Sequence, residues 1–178
     1  EFKVIETDVS ISANKQDLFV SIVVAEGPQY TVGNIGLEVV GDIARDEVAQ
    51  LISLEKGIVY SRQDLVASQT AIEELLADRG YAFANVNGVP EQRRDAAIVN
   101  FTFIVDPGPT VYIRRINIIG NESTRDEVIR RELRQLEGAV YSLSKIRRSR
   151  ERLAKLGFFR DISIQTPRVS GVIDQVDM

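Results

Sequence analysis

The sequence holds no cysteine and no histidine in 178 residues, no tryptophan, and a single methionine. Without thiols there is no disulfide, no thiolate nucleophile and no zinc site of the cysteine type. Without imidazole the commonest general base and metal ligand is missing too, so a Ser-His-Asp triad is excluded. The lack of cysteine leaves the redox compartment open, because a chain without thiols is equally comfortable in oxidising and reducing surroundings. Long apolar runs are also missing: stretches such as Ile22 to Ala25 fall far short of the roughly 20 residues that a membrane-spanning helix needs. There is no basic-then-apolar leader, and the chain opens in strand-like material at Glu1 to Val4, as a piece cut from something longer would. Paired carboxylates occur at Asp46-Glu47 and Glu73-Glu74, but adjacent helix positions point different ways and do not converge on a substrate. Gly33-Asn34-Ile35-Gly36 lacks the rest of any dinucleotide fingerprint. No catalytic residue, cofactor or metal is expected.

What remains is ordinary globular material. With 44% hydrophobic and 27% charged residues, the chain suits one domain or two to three small ones. The net charge of −4 hides an asymmetry: residues 109–178 carry 14 Lys and Arg against 9 Asp and Glu, leaving 8 against 17 for residues 1–108.

The string Arg-Asp-Glu-Val occurs twice, at Arg45 to Val48 and Arg125 to Val128, each time after an apolar run that ends in Gly. The landmarks around it recur in one order. Breakers stand at Glu26-Gly27-Pro28 and Asp106-Pro107-Gly108-Pro109; strand-like runs follow at Tyr30 to Val40 and Val111 to Ile119, ending at Gly41-Asp42 and Gly120-Asn121. A first helix begins at each Arg-Asp-Glu-Val, with Thr124 three residues before Glu127 in capping-box spacing, and Ile129, Leu133 and Leu136 forming one apolar stripe. "LEKGIVYS" (Leu54 to Ser61) and "LEGAVYS" (Leu136 to Ser142) break these helices at Gly and launch a second pair, capped by Ser61 and Ser142. Leu65, Ile72, Leu75 and Leu76 stripe one, Ile146, Leu153 and Leu156 the other, and both stop at Gly-aromatic pairs, Gly80-Tyr81 and Gly157-Phe158. Strands then follow at Phe83 to Val86 and Ala96 to Val105, and at Ile162, Ile164 and from Gln175. The unit is strand, helix, helix, strand, strand, repeated at roughly 70 to 80 residues. Residues 1–27 read as a hairpin, Asp8 to Ile11 and Leu18 to Val24 around a turn at Asn14 to Asp17, and so as the last two strands of a preceding unit.

A β-α-α-β-β unit carrying "LEGAVYS" between its helices, "LGFFRDISIQTP" after the second, and "RGYAFANVNGVPE" in the sibling copy resembles the polypeptide-transport-associated (POTRA) repeat. "RRELRQLEG" (Arg130 to Gly138) and "DQVD" (Asp174 to Asp177) add to the likeness, which covers essentially the whole chain. The expected fold is α+β: tandem modules, each a three-stranded mixed sheet covered on one face by two helices. Its expected divisions are residues 1–27 (the C-terminal hairpin of a truncated repeat), 28–108 (the penultimate repeat) and 109–178 (the last before a barrel, its final strand cut short). One departure is that Tyr30 to Gly41 is about two residues longer than its sibling, so a bulge is expected near Gly33-Asn34.

The resemblance implies a periplasmic location in a Gram-negative outer-membrane protein, a C-terminal β-barrel outside this sequence that provides the membrane link, and unfolded outer-membrane β-barrel proteins as clients. It also implies lipoprotein subunits of an assembly complex as partners. The corresponding region of an outer-membrane secretion translocase is the alternative. A three-stranded sheet has two edges with unpaired backbone groups, to which an extended client can add. The resemblance makes the second strand of each module the open edge: Ala84, Asn85, Val86 and Asn87, and Asp161, Ile162, Ser163, Ile164 and Gln165. It makes the helix cluster Arg130, Arg131, Arg134 and Glu137 a docking surface for a lipoprotein, which planar guanidiniums suit. Arg147, Arg148, Arg150, Arg152 and Lys155 on the next helix serve solubility or face anionic headgroups. A nucleic-acid module of the KH type is a rival, but the inter-helix loops have single glycines, Gly57 and Gly138, the second beside Glu137, and stacking aromatics are scarce. No nucleic-acid partner is expected.

Overall fold

The computed structural model describes every residue except Glu1, Ala13 to Lys15 and Ser123; the expected turn at Asn14 and Lys15 therefore lies outside the described residues. Strands β1 (Phe2–Ile11) and β2 (Leu18–Glu26) form an antiparallel hairpin with Val9 opposite Val20 and Ile11 opposite Leu18. A two-stranded ribbon has nothing to bury its faces against. Val9, Ile11, Phe19, Val20 and Ile22 accordingly stay exposed and join neither core.

The first unit comprises β3 (Thr31–Val39), α1 (Arg45–Ala49), α2 (Arg62–Asp78), β4 (Asn85–Arg93) and β5 (Ile98–Asp106). Its sheet has the order β3-β5-β4, with β3 parallel and β4 antiparallel to the central β5. Alternation in β5 turns Val99, Phe101, Phe103 and Val105 into the core, where they meet Val48 of α1, Ile72 and Leu76 of α2, and Leu54. The Ser61 hydroxyl accepts from the Asp64 N–H and starts α2 as its spacing predicts. The register of β3 shifts between Val32 and Ile35, where the extra length forecasts a bulge. Asn100 fixes it: its Oδ1 accepts from the Asn34 N–H at 2.8 Å, in space that only Gly33, without a Cβ, leaves free.

The second unit repeats the plan with β6 (Tyr112–Arg115), α3 (Asp126–Glu132), α4 (Leu143–Lys155) and β7 (Gln175–Asp177), β6 and β7 being parallel. Val111, Ile113, Ile129, Leu133, Ile146, Leu153 and Val176 form its core. Four expectations need correction here. The strand expected over Val111 to Ile119 is confined to Tyr112–Arg115. Thr124 does not cap α3: Arg125 occupies the N-cap without a side-chain bond. Leu136 does not extend the buried stripe, because the backbone leaves the helix at Leu133 (ψ 139) and Leu136 ends 61% exposed. The edge strand expected at Asp161 to Gln165 makes no ladder: the antiparallel register that sets Arg168 opposite Val176 runs out of partners at Met178 before it reaches Gln165. The alternation itself holds, with Ile162 and Ile164 packed on the core and Asp161, Ser163 and Gln165 exposed.

The two units are joined tightly. The Val111 N–H donates to the Gly80 carbonyl at 2.8 Å, and Asp78 Oδ1 accepts from the Ser144 N–H at 2.6 Å. Arg147 pairs with Glu74, and the Arg168 guanidinium lies 3.7 Å over the Phe83 ring. Gly80 has φ +103°, and a Cβ there would sit 2.5 Å from Val140 Cγ1, so the Gly that ends α2 also lets the units close up.

One repeated device escapes the pattern reading. Ser68 and Ser149, each seven residues after its helix N-cap, are fully buried. Ser68 Oγ donates to the Asp64 carbonyl at 2.7 Å and accepts from the Ser53 N–H at 2.9 Å; Ser149 Oγ donates to the Lys145 carbonyl at 2.7 Å and accepts from the Arg134 N–H at 2.7 Å. Each ties the loop after the first helix onto the second. Ser149→Ala, which strands the Arg134 N–H, is expected to lower stability by about 1–3 kcal/mol in urea unfolding. Replacing exposed Ser163 by Ala should change it little; equal effects would show that the buried pair of bonds does nothing.

Candidate functional site

The geometry of the first sheet decides which backbone groups are free. The Val105 carbonyl accepts from the Val40 N–H at 2.9 Å, so Val105 directs its polar groups towards β3 and away from β4. Val86 stands opposite Val105, as Gly88 does opposite Phe103, Pro90 opposite Phe101 and Gln92 opposite Val99. In an antiparallel ladder these four residues of β4 therefore turn their backbone groups outward. Among the described residues no strand pairs with that side of β4. Of the sequence-predicted edge residues, Ala84 precedes the strand and is half-buried; Asn85 and Asn87 are exposed and turn their polar groups towards β5; Val86 is buried and faces outward along its backbone.

The start of the opposite edge is covered by the chain itself. Val32 donates to the Ile58 carbonyl and accepts from the Gly57 N–H, both at 2.8 Å, while Tyr60 donates to the Tyr30 carbonyl at 2.8 Å. The sibling loop does the same for β6: Ile113 donates to the Ala139 carbonyl at 3.0 Å and accepts from the Gly138 N–H at 2.7 Å. The recurring Gly-x-Val-Tyr thus covers the outer side of β3 at Val32 and of β6 at Ile113, while the stretch of β3 from Ile35 to Val39 lies beyond it.

Asp161, Ile162, Ser163, Ile164 and Gln165 line an open groove in the second unit together with Ile116 to Asn121, Ile129, Leu153 and Phe159. They are brought together with neither β4 nor the arginine cluster.

That cluster is largely spoken for. The Met178 N–H bonds the Arg115 carbonyl and the Asn117 N–H bonds the Met178 carbonyl, so Ile116 between them faces the other way. There its N–H is accepted by Glu137 Oε1 at 2.7 Å and its carbonyl receives Arg130 at 2.9 Å. Arg130 also pairs with Glu137 and Asp126. Two side chains act as a stand-in strand for the residue that follows β6. The Ile116 N–H, and next the Arg130 guanidinium, hold the Glu137 carboxyl below its ordinary range. Arg131 remains 74% exposed at its side chain, with one long contact to Glu132, and Arg134 is exposed. On α4, Arg147 is engaged with Glu74 and Arg152 with Glu132, a partner held below its ordinary range chiefly by that bond. Arg114 does the same to Asp177. Among the described residues no group of three acidic side chains gathers to hold a metal ion, and no helix is long and apolar enough to cross a membrane.

Sequence reasoning missed Gln69, Pro90 and Gln135. Gln135 is buried and bridges the Val140 carbonyl and Ser142 N–H. Gln69 donates to the outward Val86 carbonyl at 3.0 Å. Only Pro90, a proline inside a strand-like run, carried a visible signal.

The model of the POTRA family, described as a surface antigen variable number repeat, matches residues 30–108 and 111–177. The chain is 33% identical over its whole length to the outer membrane protein assembly factor BamA of Neisseria meningitidis, covering 22% of that protein. It is 32% identical over 89% of its length to the BamA of Nitratidesulfovibrio vulgaris, covering 21%. It thus spans about a fifth of these relatives. Among solved structures, POTRA3-5 of Haemophilus influenzae BamA superposes with a TM-score of 0.88 at 29% identity, over 99% of this chain and 70% of that one. BamA of Haemophilus ducreyi lacking POTRA domains 1-3 gives 0.71 at 32% identity, over 83% and 28%.

The lowered carboxyls have a consequence in acid. Groups with folded-state values below the unfolded ones contribute stability that is complete above the ordinary carboxylate range and is lost as pH falls through the folded values. The thermal midpoint is expected to drop below about pH 4. Glu137→Gln, which can still accept from Ile116 but carries no charge, should flatten that acid limb in circular-dichroism melts; a superimposable profile would remove Glu137 from the account.

Proposed function

Because this chain belongs to the POTRA family, we propose that it is the periplasmic part of an outer-membrane protein assembly factor, receiving unfolded outer-membrane β-barrel proteins by strand addition and docking lipoprotein subunits of the assembly machine. Residues 28–108 and 109–178 are then the last two repeats before a membrane barrel, and residues 1–27 the closing hairpin of the repeat before them. That these relatives are assembly factors favours this reading over a secretion translocase. The role is one of binding and positioning.

The observation that carries strand addition is the outer side of β4, where the Gly88 N–H and carbonyl turn away from β5 with no strand beside them among the described residues. Main-chain hydrogen bonds give affinity that does not depend on client sequence, which suits a receiver of many barrel proteins. The segment Asp161 to Gln165 is left out of the client surface because it offers no ladder. For docking, the cluster divides. Arg130 and Glu137 serve the fold through Ile116, whereas Arg131 and Arg134 are exposed and held only by long contacts to their neighbours Glu132 and Leu133.

A photo-crosslinking side chain in place of Val89, which is 46% exposed beside Gly88, should capture an unfolded outer-membrane barrel protein. The same group at exposed Glu73 on α2 should not. Equal capture at both would sink strand addition. Arg131→Glu with Arg134→Glu should cut lipoprotein co-purification several-fold and leave the melting curve in place; undiminished recovery would retire this face as the docking surface.

A further inference from the structure

The outer side of β4 is not a uniform row. Its outward residues are Val86, Gly88, Pro90 and Gln92, and two of them are compromised. The Val86 carbonyl is already occupied by Gln69 Nε2 at 3.0 Å. Pro90 has no N–H to give. Gly88 between them keeps both groups. It also stands close to α2: a Cβ at Gly88 would meet Leu65 Cδ1 at 2.6 Å, so helix and strand touch where the edge is complete.

From this we infer that Gln69 and Pro90 set the register of strand addition, confining an incoming extended segment to a short stretch centred on Gly88. The inference rests on the proposed strand addition and deepens it. A visitor centred there gains the Gly88 N–H and carbonyl, the Val86 N–H and the Pro90 carbonyl. To extend towards Asn85 it must displace the Gln69 carboxamide from the Val86 carbonyl, and to extend towards Arg93 it must leave one of its own acceptors unanswered at Pro90. Gln69 is the adjustable limit, since a side chain on a helix can rotate away; Pro90 is the fixed one. Both blunt the edge against another sheet, which needs a long ladder, while still admitting a short guest. The bond from Gln69 reaches across from α2 to the strand.

The absence of cysteine makes the test clean. Single cysteines at Asn85, Asn87, Val89, Glu91 and Arg93 would be exposed to a peptide of alternating valine and threonine with one activated cysteine at its centre. In the otherwise unaltered chain the mixed disulfide should concentrate at Asn87 and Val89. Gln69→Leu should raise the yield at Asn85, and Pro90→Thr the yield at Glu91 and Arg93, each by roughly a few-fold to tenfold, the worth of one recovered hydrogen bond. Gln69→Ala provides a second removal of the amide should leucine disturb α2, and circular dichroism checks each fold. A pattern that stays at Asn87 and Val89 in every variant would overturn the register control and leave strand addition standing. No mixed disulfide anywhere on β4, in any variant, would overturn strand addition itself.

Discussion

A three-stranded sheet has more edge than centre, and each outward N–H and carbonyl must meet water, a side chain or another backbone. Much of this chain follows from how that demand is met. The inter-helix loops give the first strands their partners, with Gly57 and Gly138 opening the ladders to Val32 and Ile113. Asn100 answers the Asn34 N–H left over by the bulge. Arg130 and Glu137 stand in for a strand at Ile116, and Gln69 for half of one at Val86. Backbone covers part of one rim of each unit, and side chains cover part of what backbone leaves.

The repeat was legible because its landmarks are local. Arg-Asp-Glu-Val, Val-Tyr-Ser and the Gly-aromatic stops depend on capping and left-handed backbone, which neighbouring residues decide. The stops do have positive φ, +103° at Gly80 and +69° at Gly157. The bulge was legible for a similar reason, as a difference in length. Illegible were features set by contacts between distant residues. Leu136 fits the helical stripe, yet the helix ends earlier, because the Arg134 N–H goes to Ser149 instead of continuing the turn. The buried serines show the same limit: each lies seven residues after its cap, a spacing open to view, but its meaning requires knowing that the preceding loop comes to rest there.

The charge asymmetry follows the same division. An excess of arginine in residues 109–178 suggests a basic surface, but much of it faces acid across the fold: Arg147 reaches Glu74 of the first unit, Arg152 reaches Glu132, and Arg114 and Arg115 share Asp177. Exposed pairs of this kind add little stability singly. Their effect is positional. Glu74 and Asp78 of α2 hold Arg147 and the start of α4, and with the Gly80–Val111 bond they set the two helices against each other. The two-proline linker alone suggests only a restricted range of orientations; contacts on both sides of it narrow that range further.

The two units therefore differ in what they leave open despite sharing a plan. In the first, the third strand is present and central, so β4 lies at the rim with Gly88 uncommitted between a borrowed carbonyl and a proline. In the second, β7 pairs with β6 over Tyr112–Arg115 and the alternating segment from Asp161 to Gln165 lies beyond the reach of its register, lining a groove together with Ile116 to Asn121. The same alternation produces a ladder in one unit and only a packed face in the other. Side-chain periodicity reports which residues turn inward, and that much holds in both. Whether the backbone between them is free, paired or capped depends on the neighbour, and for strand addition the neighbour is what matters.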